Sequence, residues 1–347
     1  MSVAKLAGLA VQMVAHGKGL LAIDESIGTC DRRFAALGIA QTVDRRRAWR
    51  DLIVTTPGLG QSIGAIILNE ETIRQTTLAG VPFAAAIRDA GIIPGVKVDS
   101  GTIELAGHAP ERITEGLDGL KARLEAFAAV GARFAKWRGV ITIAADIPTR
   151  GCIEANAQTL ARYAAICQQV GLLPVIEPEV LMDGPHDLAR CAVVTEAVLH
   201  AVFRHADEQG VALEGLILKP NMVLPGSDCP DQSDLVTIAD ATVRSLLRAV
   251  PAAVPAVAFL SGGQPGALAS ARLNAMNDRF KARIPWQLSF SFARAIQQPA
   301  LEIWNGRDER AEAAQAAIAH RAMCDHAARC GTYDASTDVP LIRAQAA

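Results

Sequence analysis

Residues 214–224 read "EGLILKPNMVL", an apolar run interrupted by a lysine with a proline directly behind it. A buried strand favours Leu, Ile and Val, and carrying an ammonium costs it free energy. Pro220 has no N–H, so a regular ladder ends there. Lys219 is therefore expected at the carboxyl end of a buried strand, where the chain leaves the core. From this stretch alone it could be a solvated surface charge or a functional amine.

Seven further apolar runs share the pattern: "GLLAI" (19–23), "GAIILN" (64–69), "IIPGVKV" (92–98), "RFAKWRGV" (133–140), "LLPVIEP" (172–178), "AVAFLS" (256–261) and "WQLSFS" (286–291). Between them lie helical stretches with recognisable stops. "AQTLARYAAICQQVG" halts at Gly171, "DLARCAVVTEAVLHAVFRHADEQG" at Gly210 and "DLVTIADATVRSLLRAVP" at Pro251, as expected of helix C-termini. Eight near-continuous apolar strands alternating with helices predict a parallel sheet covered by helices, closed as a single (β/α)8 TIM barrel over residues 20–304. A doubly wound sheet would bring a glycine fingerprint after the first strand, and "AIDESIGT" is not one. Residues 1–19 are expected to form a helix packing on the barrel, with Leu6, Leu9, Ala10, Met13 and Val14 on one face. Residues 305–347 are expected to form a helical, then irregular, C-terminal tail.

Composition narrows the function. The 347 residues are 50% hydrophobic but only 4% aromatic, so the core is aliphatic, and the net charge of -2 supplies no basic field for nucleic acid. The uncharged segments 52–69 and 249–271 contain Pro- and Gly-rich breaks ("TTPGLGQ", "VPAAVP", "SGGQPG") that argue against membrane spans. The seven cysteines are scattered without a C-x-x-C pair, which fits a reducing compartment. The amphipathic start does not read as a secretory signal. A cytoplasmic protein with a small-molecule partner is expected.

In such a barrel the active site lies at the carboxyl ends of the strands. Asp24 and Glu25 follow the first strand, Lys97 ends the third, Lys136 and Arg138 lie on the fourth, and Glu177 and Glu179 on the fifth. Lys219 ends the sixth, Ser261, Gly262 and Gly263 follow the seventh, and Arg294 follows the eighth. Singly, each has a plainer reading: Asp24 as the cap of a helix near Ile27, Glu177 as an exposed charge, "SGG" as a turn. Together they converge on one mouth. A lysine withdrawn from water among other cations has its ammonium disfavoured by desolvation and like charge. The free amine attacks carbonyls, and the iminium it forms stabilises an adjacent carbanion. Asp24, Glu177 and Glu179 are available to shuttle protons. Backbone N–H groups at Ser261–Gly263, with Arg294, suit a phosphate, so a phosphorylated carbonyl substrate is expected.

The motifs "LAIDES", "GVKVD", "EGLDGL", "FAKWR", "PVIEPEVL", "LKPNMV", "FLSGGQ" and "LSFSFARA", in this order, make the chain resemble the class I (Schiff-base) fructose-bisphosphate aldolases over about residues 6–304. The resemblance implies a carbon–carbon lyase of glycolysis and gluconeogenesis. It would cleave fructose 1,6-bisphosphate reversibly to dihydroxyacetone phosphate and glyceraldehyde 3-phosphate, without cofactor or metal, as a homotetramer. By the same resemblance Lys219 would form the imine, Glu177 would be its acid/base, and Asp24 would assist cleavage between carbons 3 and 4. Lys136, partnered by Glu179, would hold charge around the intermediate. Arg138 would help bind substrate, Ser261, Gly262 and Arg294 would meet the phosphate nearest the ketone, and Ser26, Thr29 and Lys97 would face the far one.

Two departures stand out. Many relatives end in a tyrosine, whereas this chain ends "LIRAQAA", and Ala293 stands where a glycine is common. Other readings are a Schiff-base aldolase for another phosphosugar and a non-catalytic aldolase-like scaffold. A zinc-dependent aldolase needs well-placed histidines, and none of the seven ends a predicted strand.

Overall fold

The computed structural model describes residues 2–338, so the last nine residues, including the "LIRAQAA" end and part of the expected irregular tail, lie outside the described residues. In chain order the elements are α1 (Val3–Val14), β1 (Gly19–Ile23), α2 (Ile27–Ala35), α3 (Val43–Val54), β2 (Ile63–Leu68), α4 (Glu70–Ile73), α5 (Phe83–Asp89) and β3 (Ile93–Lys97). Then follow β4 (Thr102–Glu104), β5 (Arg112–Thr114), α6 (Leu120–Ala129), β6 (Phe134–Ile141), α7 (Arg150–Val170), β7 (Leu173–Val180) and α8 (Leu188–Glu208). The chain continues through β8 (Ile217–Leu218), α9 (Leu235–Ala249), β9 (Ala256–Phe259), α10 (Gly266–Phe280), β10 (Gln287–Phe292), α11 (Arg294–Trp304) and α12 (Ala311–Cys330). Eight strands close a parallel barrel in the order β1-β2-β3-β6-β7-β8-β9-β10, and β10 returns to β1. The (β/α)8 expectation holds for each of the eight apolar runs.

Two details differ from the sequence reading. The sixth strand was expected over 214–220 but is only Ile217–Leu218, because Leu213–Gly215 forms a 3-10 turn and Pro220 stops the ladder. Lys219 N–H still donates to Ile176 O at 2.8 Å, so the lysine is held against β7. An antiparallel hairpin, β4–β5, is inserted between β3 and β6; its strands of three residues each are too short to show a period.

Both faces of the barrel strands are buried, which is why they read as continuous apolar runs. Outward side chains such as Leu21, Ile66, Val96, Trp137, Ile176 and Phe259 pack beneath the helices. Inward ones, Leu20, Ala22, Ala65, Ile67, Phe134, Leu173, Val175, Ile217, Ala256 and Ala258, form a separate inner cluster. Helix α1 closes the bottom of that cluster with Leu6, Leu9, Ala10, Met13 and Val14, the face expected from its spacing. Helix α12 packs into the outer core through Ala314, Ala317, Ile318, Ala322 and Ala328. Among the described residues no helix is long and apolar enough to cross a membrane.

Gly95 shows how tightly the interior is filled. A Cβ there would lie 2.3 Å from the ring of Phe134, itself fully buried. Gly95→Ala is expected to cost about 2–3 kcal/mol by overpacking. Gly8→Ala, on the exposed side of α1 with open space around it, is expected to gain roughly 0.5–1 kcal/mol in helix propensity. Denaturant titration of the two variants checks both signs.

Candidate active site

The period of two along each strand carries the apolar interior upward into charge. Below Asp24 on the inner face lies Ala22, below Lys97 lies Gly95, and below Lys219 lies Ile217. On β6 the inward series runs Phe134, Lys136, Arg138, and on β7 it runs Leu173, Val175, Glu177, Glu179. All the sequence-predicted residues, Asp24, Ser26, Thr29, Lys97, Lys136, Arg138, Glu177, Glu179, Lys219, Ser261, Gly262, Gly263 and Arg294, line one cleft of about 310 Å³ at the top of the barrel.

At its floor four ionisable groups are buried together: Asp24 at 8% exposure, Lys136 at 3%, Glu177 at 4% and Lys219 at 3%. Lys136 Nζ lies 2.6 Å from Asp24 Oδ2 and 2.9 Å from Glu177 Oε2. Lys219 Nζ lies 2.9 Å from Glu177 Oε1. Glu177 thus bridges the two lysines, and Lys136 bridges the two carboxylates. Burial pushes Asp24 upward, but attraction to Lys136 and Lys219 outweighs it and holds the carboxyl at about 2. Burial and the lysines compete at Glu177 in the same way, and it too falls below its usual value. For Lys136 burial favours the neutral amine, yet Asp24 and Glu177 prevail and raise it well above the ordinary ammonium range. The sequence reading placed Lys219 chiefly among like charges; the fold sets a carboxylate between it and Lys136.

The expected Lys136–Glu179 partnership is corrected. Glu179 pairs with Arg138. Strand position explains this: Glu179 lies two residues above Glu177, roughly 6.6 Å up the strand, within reach of Arg138 rather than Lys136. Asp24 does not cap a helix. The cap of α2 is Ser26, whose Oγ accepts from Thr29 N–H at 3.3 Å and donates to Thr29 Oγ1 at 3.0 Å. The Glu25 carboxylate is engaged by Arg33 and Arg50 at 2.6 and 2.8 Å.

Asp99 was missed. It lines the cleft, its Oδ1 lies 2.5 Å from Lys97 Nζ, and its Oδ2 accepts from Arg138 N–H at 3.3 Å. It was visible inside "GVKVD", two residues beyond Lys97. Gly101, just before β4, Thr102, its first residue, and Ser291 also line the cleft and carried no such signal.

Across the mouth, Gly262 and Gly263 adopt φ of +57° and +94°, a conformation that glycine adopts without steric cost. Arg294 opens α11, and among the described residues its guanidinium has no hydrogen-bonded or ion-pair partner. Ala293 lines the cleft while packing against the inner apolar cluster.

The chain matches the family model described as fructose-bisphosphate aldolase class-I over residues 5–345. It is 54% identical over 305 residues to a probable fructose-bisphosphate aldolase class 1 of Xylella fastidiosa, covering 88% of this chain and 91% of that one. It is 50% identical over 324 residues to the cytoplasmic isozyme 2 of fructose-bisphosphate aldolase from Pisum sativum, covering 93% and 90%. Its structure is similar to that of fructose-bisphosphate aldolase from Plasmodium falciparum, solved with TRAP and a small-molecule inhibitor, with a TM-score of 0.94, 44% identity and 96% of each chain covered.

The floor cluster sets a pH dependence. Asp24 is depressed from 3.8 to about 2, so its ion pairs stabilise fully above about pH 4, and that contribution is lost as pH falls through 2. Glu177, also depressed, acts with the same sign. Unfolding midpoints between pH 6 and 2 are expected to fall on the acid side, with a shallower fall in Asp24→Asn. Parallel acid limbs would contradict the assignment.

Proposed function

This chain belongs to the class-I fructose-bisphosphate aldolase family and is a lyase of that type, and from that membership we propose how it works: through an imine on Lys219. The observation that carries the reading is Glu177 lying 2.9 Å from both lysines, with Asp24 on the far side of Lys136. Lys219 passes a proton to Glu177 and its freed amine attacks the ketone carbon of fructose 1,6-bisphosphate. Glu177 returns a proton to the carbinolamine oxygen, water leaves and an iminium forms. Asp24 takes the proton from the hydroxyl on carbon 4, the bond between carbons 3 and 4 breaks, and its electron pair passes into the iminium to give an enamine. Glyceraldehyde 3-phosphate departs. Protonation of the enamine carbon and hydrolysis of the iminium release dihydroxyacetone phosphate and restore the amine.

Lys136 keeps Asp24 and Glu177 ionised in a buried site, while Glu179 orients Arg138 toward substrate. Ser261, Gly262, Gly263 and Arg294 hold the ketone-side phosphate: the left-handed glycines form a backbone concavity and Arg294 keeps its charge free for an anion. Ser26, Thr29 and Lys97 hold the far phosphate at the N-terminus of α2, where the helix dipole favours an anion. The proposal includes a cytoplasmic homotetramer, in keeping with the family resemblance.

Trapping tests it. With fructose 1,6-bisphosphate in EDTA and borohydride, an adduct is expected on Lys219 and is found by digestion and mass spectrometry. Lys219→Met is expected to abolish adduct and cleavage, and Glu177→Gln to lower kcat by roughly 10²–10⁴-fold. An adduct on another lysine, or cleavage abolished by EDTA, would overturn the reading.

A further inference from the structure

We propose that Arg272, behind the Ser261–Gln264 loop, is a positioning residue that gives the ketone-side phosphate site a fixed second positive charge. This rests on the phosphate role assigned above to Ser261–Gly263 and Arg294. Arg272 lies on α10 and is 6% exposed. Among the described residues its one polar contact is Nη1–H donating to Gln264 Oε1 at 2.7 Å, and its Nε is buried without a partner. Among the described residues no carboxylate lies within ion-pair distance of it. Burial pulls the guanidinium below its ordinary value with no acidic neighbour offsetting it, although an arginine stays charged.

Most buried arginines here are neutralised: Arg46 by Asp31 and Glu71, Arg50 by Glu25, Arg321 by Asp338. Arg329 is the other exception, but it sits at the opposite end of the barrel on Gln287, at the start of β10. Arg272 instead touches the residue next to Gly263. Gln264, 4% exposed, closes the loop through its N–H on Ser261 O at 2.9 Å, and its Nε2–H points to Met222 Sδ at 3.8 Å, three residues beyond Lys219. One amide therefore ties the phosphate loop, the strand end carrying Lys219 and the buried cation together. An unneutralised guanidinium there costs stability in the free protein, and a bound phosphate dianion supplies the missing countercharge.

Competitive inhibition by inorganic phosphate, steady-state kinetics with fructose 1,6-bisphosphate and thermal unfolding of the full chain test this in Arg272→Gln and Arg272→Lys. Arg272→Gln keeps a donor for Gln264 but loses the charge. It is expected to weaken phosphate roughly tenfold and to raise KM in parallel, with kcat within about threefold and an unfolding midpoint at or above the parent's. Arg272→Lys keeps the charge and is expected to stay within about threefold of the parent for phosphate. Unchanged phosphate affinity in Arg272→Gln, or a tenfold loss in Arg272→Lys, overturns the proposal. If phosphate does not compete with substrate in the parent protein, the phosphate-site reading itself fails and this proposal falls with it.

Discussion

The site depends on one ammonium serving two carboxylates. Lys136 Nζ stands 2.6 Å from Asp24 and 2.9 Å from Glu177, and all three side chains are almost fully buried. Two carboxylates buried side by side would otherwise drive each other toward the protonated form. With Lys136 between them both are depressed, and Glu177 has a second oxygen free for Lys219. Two positive and two negative charges balance at the floor, so the cluster tolerates burial as a set. Removing any one member leaves the others uncompensated.

The rest of the barrel makes this cluster possible. Helix α1 seals the bottom, and the inner apolar side chains fill the space beneath the charges. The lysines and carboxylates therefore have no room to withdraw downward and must meet at one height. Lys97, the register partner of Lys136, pairs with Asp99 beside them, and Arg138–Glu179 lies two residues further up β6 and β7. Arg294 has no such partner among the described residues, and it stands where the left-handed glycines turn the backbone. Charge is thus neutralised at the floor, where the proposed chemistry needs fixed geometry, and left open at the edge, where an anion would bind.

Much of this was legible in the sequence because the barrel's strands are buried on both faces and stop abruptly at polar residues. "LKPN" marked both a strand end and its amine, and the twelve residues chosen on that logic line one cleft, joined there by Ser26 and Thr29, to which only the family resemblance pointed. What the sequence did not carry was height. Alternation along a strand says which way a side chain points, but pairing across strands depends on register and stagger, so it offered no check on the Lys136–Glu179 pairing that the resemblance implied, and Glu179 meets Arg138 instead. Asp99 was passed over for a related reason: it lies two residues beyond the end of β3, where the strand's alternation no longer announces itself. The hairpin β4–β5 and the shortening of β8 escaped because three-residue and two-residue strands contain no period to detect.

Lys136 and Asp24 are energetically coupled rather than merely adjacent. A double-mutant cycle with Asp24→Asn, Lys136→Met and the pair, followed by denaturant unfolding at neutral pH, measures that coupling directly. A coupling of about 2–3 kcal/mol is expected. A coupling below about 0.5 kcal/mol, the range of independent sites, would contradict it.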